Sequence, residues 1–217
     1  MAHCRACRRT SIFTKVWRNP DRRIILASQS PRRREILSAL GFEFEVMLPS
    51  VENEATFFSG RTLDKGLAAL SVAKAQSVSL SRPDALVLGA DTVVSIDGAI
   101  LGKPKTRGDA AAMLGRLSGR RHAVLTSVAL VCGECGFAAG AVETTAVQFR
   151  ALAQWEIDEY LGRGEYLDKA GAYAIQGRAM AFVDRIDGCY YNVVGLPVRK
   201  TIDLFAAYAD RKGAPNV

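Results

Sequence analysis

Nine charged side chains in this sequence have the types and placement to do chemistry on a multiply charged anion. Four are acids: Asp91 follows a continuous apolar run, Glu52 and Glu54 lie in a loop after another run, and Asp168 opens a glycine-rich segment. Five are bases: Arg32, Arg33, Lys74, Lys103 and Lys169. Hard divalent ions take carboxylate oxygens and keep several waters. Fixed cations and backbone N–H groups stabilise the charge that a departing phosphate accumulates. Taken singly, each acid reads as a solvated loop residue; drawn into one cleft, the set is what metal-assisted phosphate chemistry requires.

Other chemistries fit poorly. Only His3 and His122 are present, and no serine sits in a Gly-x-Ser-x-Gly elbow, so a serine triad has no base and no nucleophile. Neither Gly-x-Gly-x-x-Gly nor a P-loop occurs. His122 reads as a partly buried strand residue, and Cys189 as packing without an activating base. Two Cys-x-x-Cys pairs, Cys4 with Cys7 and Cys132 with Cys135, could supply four thiolates to zinc. Their wide separation disfavours a compact zinc ribbon, and Gly133 and Gly136 suit the second pair to a hairpin turn.

The elements that must position these residues can be read from the pattern. Ile24 to Ala27 is a short apolar strand. Ser28-Gln29-Ser30 is a tight loop, Ser30 a natural N-cap and Pro31 a natural first helical residue. Ser28, Ser30, Arg32, Arg33 and Arg34 thus crowd a helix start whose N–H groups point outward, the makings of an anion site. The alternation from Phe42 to Leu48 predicts a half-buried strand, and residues 61 to 80 a long helix carrying Lys65 and Lys74. Ala85 to Ala90 reads as a strand covered on both faces and ending at Asp91-Thr92, the place where open α/β sheets put ligands. Thr92 to Ile96 then turns at Asp97-Gly98, so Asp91 and Lys103 flank one hairpin. A helix over 107–117, strands over 122–132 and 137–149, and a short helix over 155–161 follow. A further hairpin at Asp187-Gly188 precedes a closing helix that runs to about Tyr208. Interleaved helices and strands early, with hairpins later, imply an α/β fold on a mixed sheet.

The 217 residues suffice for one sizeable core, and a hydrophobic fraction of 49% with 24% charged is ordinary for a globular protein. No stretch of eighteen apolar residues would span a membrane. The net charge of +7 is concentrated at the start: residues 1 to 23 carry seven basic residues against Asp21, leaving +1 for the other 194. That extension lacks the apolar core of a secretory signal and is expected to be disordered, with phosphate contacts as its one route to nucleic acid. The odd count of five cysteines suits a reducing compartment rather than a disulfide framework.

With these segments in place, the chain resembles the Maf family of nucleoside triphosphate pyrophosphatases from about Ile24 to Tyr208. The motifs are Leu-Ala-Ser-Gln-Ser-Pro-Arg-Arg (26–33), Gly-Ala-Asp-Thr-Val-Val (89–94), Leu-Gly-Lys-Pro (101–104), Leu-Ser-Gly-Arg-Arg-His (117–122), Asp-Lys-Ala-Gly-Ala-Tyr-Ala-Ile-Gln-Gly (168–177) and Tyr-Tyr-Asn-Val-Val-Gly-Leu-Pro (190–197). The resemblance implies an elongated mixed sheet flanked by helices, two lobes with a central cleft, a homodimer and a cytoplasmic setting. It divides the chain into an extension (1–22), a catalytic domain (23–210) and a tail (211–217). It also implies hydrolysis of a nucleoside triphosphate to monophosphate and pyrophosphate with Mg²⁺, Mn²⁺ or Co²⁺. Asp91, Lys74 and Lys103 match catalytic positions; Ser28, Ser30, Arg32, Arg33, Asp168 and Lys169 are substrate-binding candidates; Asp91 with Glu54 or Glu52 would hold the metal. Gln176, Arg32 and Thr92 resemble the set of the dTTP and UTP branch, where the amide pairs with a pyrimidine edge. Two alternatives follow from the same likeness: the same reaction on a purine or on 7-methyl-GTP, and a septum-formation regulator. The family usually has two adjacent acids where Asn53 here separates Glu52 from Glu54.

Overall fold

The computed structural model describes residues 22–212. The basic extension therefore lies outside the described residues except for Arg22, which is anchored to the fold by hydrogen bonds to Asp84 and Glu134. Four consecutive apolar residues make β1 (Ile24–Ala27), wholly buried between two parallel neighbours, β2 (Phe44–Val46) and β3 (Leu86–Ile96). β2 is shorter than the alternation from 42 to 48 suggests: its register on β1 runs only from Ile24↔Phe44 to Leu26↔Val46, with one further bond from the Met47 N–H to the Leu26 carbonyl. Between β1 and β2 runs α1 (Pro31–Ala39), with Pro31 at its first position and Ile36 and Leu37 turned into the core.

β3 does not stop at Asp91 as the sequence suggests; it continues to Ile96. The reason is its antiparallel partner β5 (Arg121–Cys132), which pairs with it from Val87↔Val131 to Ser95↔Ala123. The opposite edge of β3 behaves differently. There β1 gives out at Ala27↔Gly89, and β4 (Ala99–Leu101) begins only at Val94↔Leu101. The edge of β3 is thus open around Ala90 to Val93, in the interior of a seven-stranded sheet.

Beyond β5 come β6 (Phe137–Phe149) and β7 (Val183–Asp187), giving the order β2-β1-β3-β5-β6-β7 with β4 on β3. The expected mixed sheet is present. The hairpin expected at Asp187-Gly188 is not: β7 leads into α5 (Tyr190–Val194). Thr145 on β6 catches the chain there, accepting from the Cys189 N–H at 3.0 Å and donating to the Cys189 carbonyl at 3.1 Å. α6 (Val198–Lys212) closes the fold.

Strand alternation divides the core. Leu86, Leu88, Ala90, Val94 and Ile96 of β3 join the larger cluster, built with Val128, Phe149, Tyr173 and Leu196. Val87 and Val93 face the other way, against α2 (Leu63–Ser79) through Ala75, Val78 and Leu67. Between those contacts α2 lies almost on the strand. A Cβ on Gly89 would stand 2.4 Å from the Ser71 carbonyl and 2.8 Å from the Ala75 nitrogen, so only glycine fits. A hydroxyl pair, Ser71 Oγ to Ser127 Oγ at 2.7 Å, replaces apolar packing at this crossing. On the opposite side of the sheet, α3 (Arg107–Leu117) starts with a capping box between Thr106 and Asp109, and α4 (Gln154–Gly162) follows β6.

Candidate active site

Asp91 shares the α2-facing side of β3 with Val87, Gly89 and Val93. The close approach at Gly89 therefore brings the same turn of α2, Ser71 to Ala75, close to it. Lys74 projects from that turn: its ammonium is 2.6 Å from Asp91 Oδ1 and 2.8 Å from Glu54 Oε1. The lysine and aspartate side chains retain only 11% and 18% of their exposure, whereas Glu54 retains 50%. Glu54 begins a 3₁₀ turn (Glu54–Phe58) entered through Asn53 in the left-handed region at φ 49°, a conformation asparagine tolerates. Asn53 thus turns the chain where Glu54 meets Lys74, and Glu52 lies on the other side of that turn.

On the open edge of β3 the β1–α1 loop is held by Arg33. Its guanidinium donates from Nη1 to Ser28 Oγ (2.9 Å) and the Ala90 carbonyl (2.9 Å), from Nη2 to Thr92 Oγ1 (3.0 Å), and from Nε to the Gly195 carbonyl (2.8 Å). The Ala90 carbonyl, left by the missing neighbour strand, is satisfied in this way. Thr92 Oγ1 also bonds Thr126 Oγ1 at 2.9 Å, and Thr126 donates to the Asn192 carbonyl at 2.9 Å, which ties the loop to α5. Burial lowers the Arg33 pKa, and the nearby Asp91 charge opposes the shift. Four of five donors are thus committed to protein.

Arg32 is freer. Its Nε donates to the Val194 carbonyl at 3.3 Å, and its pKa is lowered by burial. Lys169, whose Nζ donates to the Leu167 carbonyl, is lowered by burial and then by the charge of Arg32, with Lys103 adding to the repulsion. These three cations share one neighbourhood, with Asp168 as the opposing charge felt by Lys169. The bond from Gly171 N–H to the Gly102 carbonyl at 3.1 Å docks the 168–177 segment on the residue before Lys103. Ser30 is the N-cap of α1 but its hydroxyl does not cap; its own N–H bonds Ser28 Oγ at 3.2 Å. Gln176 is exposed between the buried Ile175 and the half-buried Gly177.

For a hard cation, the donor chemistry fits: Asp91 and Glu54 place carboxylate oxygens around a position that the Lys74 ammonium now fills. No group of three or more His, Cys, Asp or Glu stands ready for a metal among the described residues. A metal here would complete its shell from water and phosphate oxygens, the habit of Mg²⁺. His122, read as partly buried, is fully buried. Its Nε2 lies 2.9 Å from Tyr173 Oη, and burial drops its pKa to about 4. Of the four cysteines considered for zinc, Cys4 and Cys7 lie outside the described residues.

Sequence reasoning missed the supports of this site: Ser71 and Ser127 at the helix crossing, Thr126 and Asn192 behind Thr92, and the Val194 and Gly195 carbonyls under the two arginines. Those last contacts join residues 162 positions apart, and the only signal for them was the Tyr-Tyr-Asn-Val-Val-Gly-Leu-Pro stretch itself. No described helix is long and apolar enough to cross a membrane.

Comparison with known proteins gives the same direction. A protein of Symbiobacterium thermophilum named dTTP/UTP pyrophosphatase is 48% identical over 185 residues, which cover 85% of this chain and 93% of that one. Proteins of the same name from Vibrio parahaemolyticus and Desulforamulus reducens are 46% and 44% identical, covering 85% and 84% of this chain and 96% and 94% of theirs. A family model described as Maf-like protein matches residues 23–208, a span that holds every group of the site from Ser28 to Gly195. The arginine-held loop, the strand acid and the lysine of α2 all fall within that span, and the chain belongs to the Maf family.

Proposed function

We propose that this chain hydrolyses dTTP and UTP to the nucleoside monophosphate and pyrophosphate. The observation that carries the reading is the convergence of the Asp91 and Glu54 carboxylates on one cation position, 2.6 and 2.8 Å from the Lys74 ammonium, in a fold that also brings Arg32 and Lys103 near enough to Lys169 to repel its charge. The names of the relatives supply the substrates. Mg²⁺, Mn²⁺ or Co²⁺ held by Asp91 and Glu54 would stabilise the negative charge that gathers on the triphosphate oxygens. Asp91 takes the proton of the water that attacks the α-phosphorus, and the bond to the β,γ-pyrophosphate breaks. Lys74, freed from one carboxylate, moves its charge to the reacting phosphate. Arg32, Lys103 and Lys169 neutralise the leaving pyrophosphate, with Asp168 beside Lys169 and the N-terminus of α1 at Ser30 adding to the phosphate site. Arg33 holds the Ser28 loop and Thr92 in place, and Gln176 pairs with the O4 and N3–H edge of the pyrimidine.

The test is a panel of nucleoside triphosphates with Mg²⁺ or Mn²⁺, pyrophosphate being resolved from orthophosphate, and Asp91→Asn run alongside. Pyrophosphate should come mainly from dTTP and UTP and fall about 10²–10⁴-fold in the variant. Release mainly from purine nucleotides would overturn the role of Gln176. No release from any nucleotide would overturn the reaction.

A further inference from the structure

Base selection depends on a turn that the phosphate-binding groups do not hold. The Gln176 side chain is exposed and hydrogen-bonds no described residue, so its place is set by the backbone on either side of it. That backbone is a reverse turn closed by the Gly177 N–H on the Ala174 carbonyl at 2.9 Å, with Ile175 rooted in the core. Both ends of the turn are fastened to side chains from α4 and the loop after it. The Ala174 N–H donates to Tyr160 Oη at 3.2 Å, and the Arg178 N–H donates to Glu165 Oε2 at 2.8 Å.

Each fastening is itself held. Tyr160 is buried in α4 with its ring edge-on to Phe182, the centroids 5.2 Å apart, and the charge of Arg32 acts on its hydroxyl. After α4 the chain turns back, the Gly164 N–H meeting the Leu161 carbonyl at 3.3 Å, and brings Glu165 to the start of the 3₁₀ turn Arg178–Phe182. The second carboxylate oxygen, Oε1, stands 3.8 Å from Arg178 Nε. Gly177 has φ −100°, open to any residue, yet a Cβ there would fall on Glu165 Oε2. The carboxylate thus occupies the space where a side chain at 177 would stand. Tyr160, Glu165, Gly177 and Arg178 also line a cleft of about 630 Å³, so this end of the turn is not embedded in the core and the carboxylate bond carries its placement.

We propose that Tyr160 and Glu165 are positioning residues for base selection: they clamp the two ends of the 174–178 turn and so fix the Gln176 amide against the pyrimidine. The inference rests on the reading of Gln176 given above. Each residue acts through Gln176 rather than on the nucleotide.

The experiment measures kcat and KM for dTTP in a double-mutant cycle, with circular dichroism on every sample. Gln176→Ala should lower kcat/KM about tenfold, mostly through KM, since a base contact is lost while the phosphate groups stay. Glu165→Ala and Tyr160→Phe should each lower it about three- to tenfold in the wild-type background, and leave it unchanged where residue 176 is already alanine. Glu165→Gln keeps an oxygen that accepts the Arg178 N–H and should retain most of the turnover. Gly177→Ala displaces the carboxylate from the other side and should behave as Glu165→Ala does. A role in folding alone would reduce turnover equally in both backgrounds, and such additive losses would overturn the clamp. So would harmless Glu165→Ala and Tyr160→Phe beside a costly Gln176→Ala, with the reading of Gln176 left standing. A harmless Gln176→Ala would overturn both.

Discussion

Two acids separated by one residue are not equivalent. Glu54 reaches the Lys74 ammonium at 2.8 Å, whereas Glu52 is exposed on the far side of a left-handed Asn53. Glu54→Gln should therefore raise the metal concentration needed for half-maximal pyrophosphate release by about tenfold or more, the scale on which metal sites respond to losing a support. Glu52→Gln should leave it unchanged, and equal responses would place the metal elsewhere. The arginines divide similarly. Arg33 spends Nε, Nη1 and Nη2 on four oxygens of the protein, while Arg32 gives only Nε to a carbonyl. Adjacent in sequence and identical in type, they differ because an open strand edge presents a carbonyl to one of them.

At the scale of elements, the site depends on how closely α2 rides on β3. Gly89→Ala inserts a methyl 2.4 Å from the Ser71 carbonyl, which is backbone and cannot swing away. The helix must lift, at a cost of about 1–3 kcal/mol, and carry Lys74 away from Asp91. Turnover should fall further than the loss of folded protein explains, as activity and circular dichroism on the same samples would show. The sequence shows most elements because periodicity and end signals are local: α3 has Thr106 and Asp109 at its start, and β5 and β6 flank a Cys-Gly-Glu-Cys turn. It misleads at Asp91, since whether a strand continues depends on a partner some 35 residues away, here Ser127. It misleads at Asp187-Gly188 as well, where a turn dipeptide leads to a helix because Thr145 of another strand catches the backbone. Charges of the site were visible as residue types, and local groupings such as Arg32 with Arg33 could be read from spacing; the meeting of Lys74 with Asp91 and Glu54 could not, since it depends on how α2 packs on β3.

For the molecule as a whole, His122 makes stability depend on pH. Its folded pKa of about 4 lies below the ordinary 6.5 because burial disfavours the charged ring. The unfolded chain thus binds a proton that the folded chain refuses. The stability from this group is complete above pH 6.5 and is lost as pH falls, by about 3 kcal/mol near pH 4. Urea midpoints at pH 7 and pH 4.5 should differ markedly less in His122→Gln; an unchanged difference would assign the acid sensitivity elsewhere. Charge at this scale is uneven too, with most of the +7 preceding residue 24. The site is built from residues 28 to 195, so removing residues 1–21 should leave turnover on dTTP intact, and a large loss would give the extension a share in the reaction.

Arg32 and Arg33, near the beginning of the fold, close on the Val194 and Gly195 carbonyls near its end. On the ribosome, the strand and helix that carry these arginines emerge long before their partners are made. The loop can be locked only after Val194 and Gly195 have emerged, so a nascent or prematurely stopped chain that has built much of its sheet but lacks them should still be unable to consume the nucleotide pool around it.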